Sequence, residues 1–168
     1  MLGVTNSSQM RIRIPALMSG VLTYFSLEQL QGRWTILCSI PSLDLIDAIF
    51  LNHQHDTFAK FGASFVALCR QDRLLHAYKI EQLIPLHVPI LTDPLGRLRR
   101  AYNMSGPQGL RCQTSLLDPH LKLRLQIFHD LNARGIDALF ELLSVIQQRE
   151  NAVPRQGKLA TIPALGRF

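Results

Sequence analysis

The chain is short of cysteine, of acidic residues and of long apolar runs. Nowhere among its 168 residues is there a stretch approaching the roughly twenty apolar residues that span a membrane, so no membrane role is expected. Its three cysteines, Cys38, Cys69 and Cys112, are an odd number with no Cys-x-x-Cys pair. That excludes a disulfide framework and thioredoxin-type exchange, and it fits a reducing compartment. A Gly-rich phosphate loop, a His-Glu-x-x-His pair and a Gly-x-Ser-x-Gly elbow are all missing, so no cofactor is expected. Metal binding is not expected either: His53 and His55 are two apart, do not face each other on a helix, and read as a polar face. Twelve acidic against eighteen basic residues leave a net charge of +6, with arginine making up most of the excess. The basic residues are scattered rather than run together, which reads as a solvated surface. Arg149, Arg155, Lys158 and Arg167 crowd the last twenty residues, but few aromatics are interleaved with them, so nucleic-acid binding is not expected.

What is present is enough for one domain with a sizeable core: 47% of the residues are apolar. The first ten residues are polar and lack an apolar signal core, so a soluble, cytoplasmic protein is the expectation. Residues 1–150 read as a single α/β domain and residues 151–168, with two prolines and two glycines, as a basic tail. The run Trp34 to Ile40 has the length and composition of a strand buried on both faces, and Pro41 should end it. A helix follows from about Asp47 to Phe61 and stops at Gly62, then a buried strand from Ser64 to Cys69. Further helices are expected over Asp72 to Lys79, after a Thr92-Asp93-Pro94 opening with Leu95, Leu98 and Tyr102 as its buried stripe, and over Gly135 to Gln147. Gln113–Leu117 and Lys122–His129 pair as a hairpin. Ahead of the central strand, Met10 to Pro15 reads as an edge strand guarded by Arg11 and Arg13, and the Ser26–Gln29 spacing suits a capping box.

Several of these stretches resemble a known family. Gly32-Arg33-Trp34, an apolar strand and Pro41-Ser42-Leu43-Asp44 look like the active-site entry of peroxiredoxins, the alkyl hydroperoxide reductase C/thiol-specific antioxidant and thiol peroxidase group. Asp93-Pro94-Leu95-Gly96 and Ala101-Tyr102-Asn103-Met104 are similar to a later stretch of the same family. The resemblance covers about Leu22 to Gln147 and implies a thioredoxin-like fold of peroxiredoxin type, with a mixed central sheet flanked by helices. It also implies a homo-oligomer, a dimer in the simplest case, and a thiol reductant or protein partner.

The resemblance further implies where chemistry should sit. In the family a Thr follows the proline at the fourth position and the peroxide-attacking Cys at the seventh; here those positions are Leu45 and Ala48. No cysteine lies between Cys38 and Cys69 to take over. Pro41 matches the family's proline and Arg111 its peroxide-orienting arginine, which leaves half a site. A displaced thiol is the alternative. Cys112, beside Arg111, and Cys69, at a strand end beside Arg70, are the candidates, since a nearby cation lowers a thiol pKa. Cys38, inside the central strand, reads as inert core. Two functions follow: a peroxiredoxin-like protein without peroxidase activity that serves as a binding or assembly module, or a thiol-dependent antioxidant oxidoreductase using Cys112 or Cys69.

Overall fold

The computed structural model describes residues 11–69, 74–104, 112–130 and 133–152. Two compact units are present, Met1–Asn132 and Ala133–Phe168.

The first unit is built on a seven-stranded mixed sheet in the order β2-β1-β5-β4-β3-β6-β7. The strands are β1 (Arg13–Met18), β2 (Val21–Ser26), β3 (Thr35–Ile40), β4 (Ser64–Cys69), β5 (Ile90–Thr92), β6 (Cys112–Leu117) and β7 (Leu123–His129). Among the described residues three helices belong to this unit: α1 (Leu45–Lys60), α2 (Leu74–Glu81) and α3 (Arg97–Ala101). β4 runs parallel to β3 and β5, and the remaining pairs are antiparallel. This is the thioredoxin-like arrangement: β3-α1-β4-α2-β5 is wound through helices, and the β6–β7 hairpin extends the sheet beyond β3.

β3 stops at Ile40, immediately before Pro41, because proline has no N–H to give the ladder. Asp44 then starts α1. Its Oδ1 accepts from the Asp47 N–H at 2.8 Å while Asp47 Oδ2 accepts from the Asp44 N–H at 3.2 Å, a reciprocal capping box. The helix therefore begins at Leu45, two residues ahead of the expected start. Its buried side, Ala48, Leu51 and Phe58, lies on the sheet, where the Phe58 ring stacks on Phe65 with centroids 5.6 Å apart. Asn52 ties α1 to the chain ahead of β5: its Nδ2 donates to the Pro85 carbonyl at 2.8 Å and its Oδ1 accepts from the His87 N–H at 2.7 Å. The opposite face of the sheet carries an apolar cluster that includes Ile14, Phe25, Leu37, Leu68, Leu91, Leu98, Tyr102 and Leu117.

Some local expectations are corrected. The first strand is Arg13–Met18 and it is interior. Ser19 and Gly20 both take positive φ, so a two-residue turn folds Val21–Ser26 back to become the edge. Arg13 does not guard an edge; its guanidinium stacks over Tyr24 at 5.5 Å. Ser26 caps nothing with its side chain, and Leu27–Leu30 is a 3-10 turn. The helix after Asp93 starts only at Arg97, behind Gly96 at φ +67°, so Leu95 is exposed while Leu98 and Tyr102 are buried. Asp93 still accepts the Arg99 N–H at 2.9 Å, satisfying a donor of the first helical turn. The expected helix over Asp72 to Lys79 is found at Leu74–Glu81, with Asp72 outside the described residues.

In the second unit the described residues form one helix, α4 (Ala133–Ala152), longer at both ends than the expected Gly135–Gln147. The tail from residue 153 onward lies outside the described residues. Among the described residues no helix is long and apolar enough to cross a membrane.

Candidate functional site

The two positions where the resemblance expects chemistry open α1. Leu45 is the first helical residue and 41% exposed; Ala48, one turn in, is completely buried. Pro41 is half-buried at the end of β3. Arg111 lies outside the described residues.

Beneath that helical turn the sheet carries a polar cluster. Cys38 on β3 stands directly opposite Thr114 on β6. Cys112 is two residues before Thr114, and so on the same face, and it stands opposite His129 on β7. Strand alternation thus turns Cys38, Cys112, Thr114 and His129 into one patch. The first turn of α1 overlies it closely enough for the Asp47 carboxylate to act on the Cys112 thiol. All four residues are buried.

Hydrogen bonding within the patch is directional. His129 Nδ1 lies 2.7 Å from the Asp130 backbone carbonyl, which can only accept, so Nδ1 carries a hydrogen. That leaves Nε2 to face the interior, 2.5 Å from Thr114 Oγ1. Cys38 in turn has hydrogen-bond contact with Cys112, His129 and Thr114. Donation from Cys112 brings the Cys38 thiol down from its ordinary 9.0 to about 5; burial opposes this, and His129 and Thr114 reinforce it. Cys112 moves the other way, above the ordinary thiol range. Its bond to Cys38 keeps its proton in place, burial adds to this, and the negative charges of Cys38, Asp47 and Asp130 add further. For His129 burial favours the neutral ring, but the bonds to Cys38 and to the Asp130 carbonyl outweigh it, and its pKa is raised. The arrangement is a thiol of lowered pKa beside an imidazole of raised pKa, with a second thiol as donor and a carbonyl orienting the ring. Those are the parts of an activated sulfur nucleophile, here shut away from solvent.

Cys112 is a candidate on account of the neighbouring Arg111, which lies outside the described residues; its bond to Cys38, burial and the negative charges of Cys38, Asp47 and Asp130 raise its pKa. Cys69 was expected at an exposable strand end. It is 2% exposed, registered opposite Ile40 and Thr92 within the sheet. Cys38, read as inert core, is fully buried, but its neighbours across the sheet are polar and they lower its pKa. His129 went unnoticed. The only signal for it would have been the β6–β7 register, since it is 17 positions from Cys112 in the chain.

His53 and His55 lie on α1 away from the sheet, and His55 and His87 share Asp56, at 3.1 and 3.0 Å. Among the described residues no group of three or more His, Cys, Asp or Glu is placed to hold a metal ion.

No protein-family model matches the chain. A protein named peroxiredoxin from Ignicoccus hospitalis is 23% identical over 134 residues, covering 71% of this chain and 57% of the relative, so the chain spans little more than half of that protein's length. Among solved structures, the bacterioferritin comigratory protein of Xanthomonas campestris, described for its alkyl peroxide reduction activity, superposes with a TM-score of 0.66 at 20% identity, covering 86% of this chain and 97% of the other. A peroxiredoxin Q mutant from Xylella fastidiosa gives 0.67 at 16% identity over 84% and 93%, and AhpC from Enterococcus faecalis 0.65 at 16% over 86% and 94%. At these identities the likeness is one of fold. Sequence and structure together make this a chain similar to peroxiredoxins, with their thioredoxin-like fold.

Proposed function

Starting from the peroxiredoxin fold, we propose that this protein has given up the family's peroxidase reaction and serves as a non-catalytic binding or assembly module. The observation that carries this reading is the state of Ala48. The position that should present a thiol holds a methyl group, and it is completely buried. The three cysteines elsewhere are all at most 2% exposed. A catalytic thiol must meet peroxide and then a reductant at every cycle, and none of these sulfurs is presented for that. The exposed Leu45, Ile46 and Ile49 on the first turns of α1 offer an apolar surface in place of a reactive one. The reading includes self-association as a dimer and residence in the cytoplasm, where three free thiols stay reduced.

The test is peroxide consumption with a thiol reductant, on the intact protein and on single serine replacements of Cys38, Cys69 and Cys112. The expected result is no turnover above that of free cysteine in any form. Sustained turnover abolished by one replacement would overturn the reading in favour of a thiol-dependent oxidoreductase with a displaced cysteine. One observation favours that second reading: the contacts from Cys112, His129 and Thr114 lower the Cys38 thiol's pKa, so it rather than Cys112 or Cys69 would be the attacking sulfur.

A further inference from the structure

We propose that the outer edge of β2 is a self-association surface, where β2 of a second copy adds antiparallel and joins the two seven-stranded sheets into one. Such a joint rests on the dimer included in the binding-module reading and gives that dimer a place on the fold.

Of the sheet's two edges, β2 is the unguarded one. An edge strand presents a row of unpaired backbone groups, which chains blunt with charge, proline or a bulge. β7 has such guards: Arg124 lies on it, Lys122 just before it, and its pairing with β6 slips at Leu116/Leu117. Val21–Ser26 contains neither a charge nor a proline, and it pairs with β1 in unbroken register. Its exposed side chains are largely apolar. Val21 is 60% exposed, Leu22 54% and Tyr24 62%, and strand alternation puts the first on one face and the other two on the opposite face. The Arg13 guanidinium over the Tyr24 ring, at 5.5 Å, holds that ring beside the edge.

The register of the hairpin makes this edge complementary to itself. The Ser19–Gly20 turn closes on Met18 and Val21 as a hydrogen-bonded pair, and bonding alternates from there. Ala16–Thr23 and Ile14–Phe25 are then bonded pairs, while Leu22 and Tyr24 turn their N–H and C=O groups outward. Two contacts of β1 agree. The Ile12 carbonyl accepts the Leu27 N–H at 3.3 Å, continuing the alternation, and the Pro15 carbonyl, opposite Tyr24, faces β5 and accepts from Thr92 Oγ1 at 3.4 Å. Among the described residues no strand pairs with the outer side of β2. A two-fold axis at Thr23 sets Leu22 against Tyr24 of the second copy, and Tyr24 against its Leu22. Each pair exchanges both its bonds, so every outward group of Leu22 and Tyr24 on both copies finds a partner. The side chains meet as an aliphatic–aromatic cross-strand pair. A contact built on one patch in this way closes on itself instead of growing into a fibre.

Charge is complementary at the ends of the joint. The same register lays Gly20 of one copy beside Ser26 of the other, and Ser26 is paired with Arg13. At Gly20 stands the carboxylate of Glu81 from α2: Oε1 is 3.2 Å from where a Cβ on Gly20 would be, and Oε2 is fixed by accepting the Leu86 N–H. The two-fold thus brings Glu81 of each copy toward Arg13 of the other, once on either side of the axis.

The experiment follows the mass of the full chain across a dilution series by analytical ultracentrifugation. The native chain should pass from monomer to dimer as its concentration rises. Thr23→Lys sets like charges face to face on the axis while keeping the backbone bonds to β1, and should weaken the dimer by about tenfold or more. Thr23→Cys gives a second, independent readout. On the axis the two Thr23 residues form a non-hydrogen-bonded pair with Cα atoms about 4.5 Å apart, within the span of a disulfide. Mild oxidation should therefore link Thr23→Cys chains into dimers. Val21→Cys should not link, because the register sets Val21 against Phe25 of the second copy. A chain monomeric at every concentration, a dimer indifferent to Thr23→Lys, or Val21→Cys linking as readily as Thr23→Cys would overturn the proposal. The two readings fail separately: peroxide turnover sinks the binding-module reading and leaves this interface standing, whereas a dimer indifferent to Thr23→Lys sinks the interface alone.

Discussion

Titration of the Cys38 thiol, with and without His129, tests the buried cluster directly. Cys38 ordinarily loses its proton at 9.0, and in the fold at about 5, chiefly through donation from Cys112. The folded protein should therefore keep one thiolate absorbance band through neutral pH and lose it only as the pH falls through about 5. Stability should carry the matching signature. Taken alone, a depressed thiol pKa gives stability that is complete above 9.0 and is lost toward pH 5, at about 1.4 kcal/mol per pH unit. Taken alone, the raised His129 gives stability that is complete below 6.5 and is lost as pH rises through its folded value. Above 6.5 the two act in opposite senses, the thiol's contribution rising with pH and the imidazole's falling. Between about 5 and 6.5 the imidazole is charged in both states while the unfolded thiol holds a proton that the folded Cys38 has lost, so the cluster's contribution should decline by about 1.4 kcal/mol per unit as the pH falls. Urea unfolding at a series of pH values reads the slope. His129→Gln should move the Cys38 midpoint upward, toward 9.0. A native-protein thiolate midpoint near 9.0, or a stability that does not fall between pH 6.5 and about 5, would refute the reasoning.

Two further substitutions test what surrounds the cluster. Asn52→Ala removes both ties between α1 and the chain ahead of β5 and orphans the Pro85 carbonyl and the His87 N–H; it should cost about 2–4 kcal/mol by urea unfolding, and a loss below about 1 kcal/mol would mean water replaces the ties. Ala48→Cys, alone or with Leu45→Thr, should cost about 1–3 kcal/mol from overpacking, and its thiol should resist alkylation in the folded protein; rapid labelling would show that the helix turn opens readily.

Much of the fold was legible because it is written in local patterns. Pro41 ends β3 where the missing N–H requires, and the apolar runs of β3 and β4 carry the length of strands buried on both faces. The edge of the sheet was misread because the arginine pattern at residues 11 and 13 says nothing of which strand lies beyond; Ser19 and Gly20 decide that by turning the chain back. Two short polar residues spaced for a capping box occur at Ser26–Gln29 and at Asp44–Asp47, and only the second closes. The candidate site was the least legible part. Cys38 looked inert because its sequence neighbours are apolar, yet along a strand the neighbours in sequence point to the opposite face. Its actual partners come from β6 and β7, and only the register of two antiparallel pairs brings them together.

The stretches through which kinship with peroxiredoxins shows have a common character. Gly32 sits at φ +90° and its N–H holds the Pro119 carbonyl at 2.9 Å, Pro41 closes β3, and Gly96 at φ +67° turns the chain into α3. Each fixes the path of the backbone. Leu45 and Ala48, where the reaction would be, lie in a helix that Asp44 and Asp47 start without their help. The family likeness therefore rests on backbone geometry and would look the same whether or not the reaction is kept. A relative recognised by its glycines and prolines is vouched for as a shape, and its chemistry has to be established thiol by thiol.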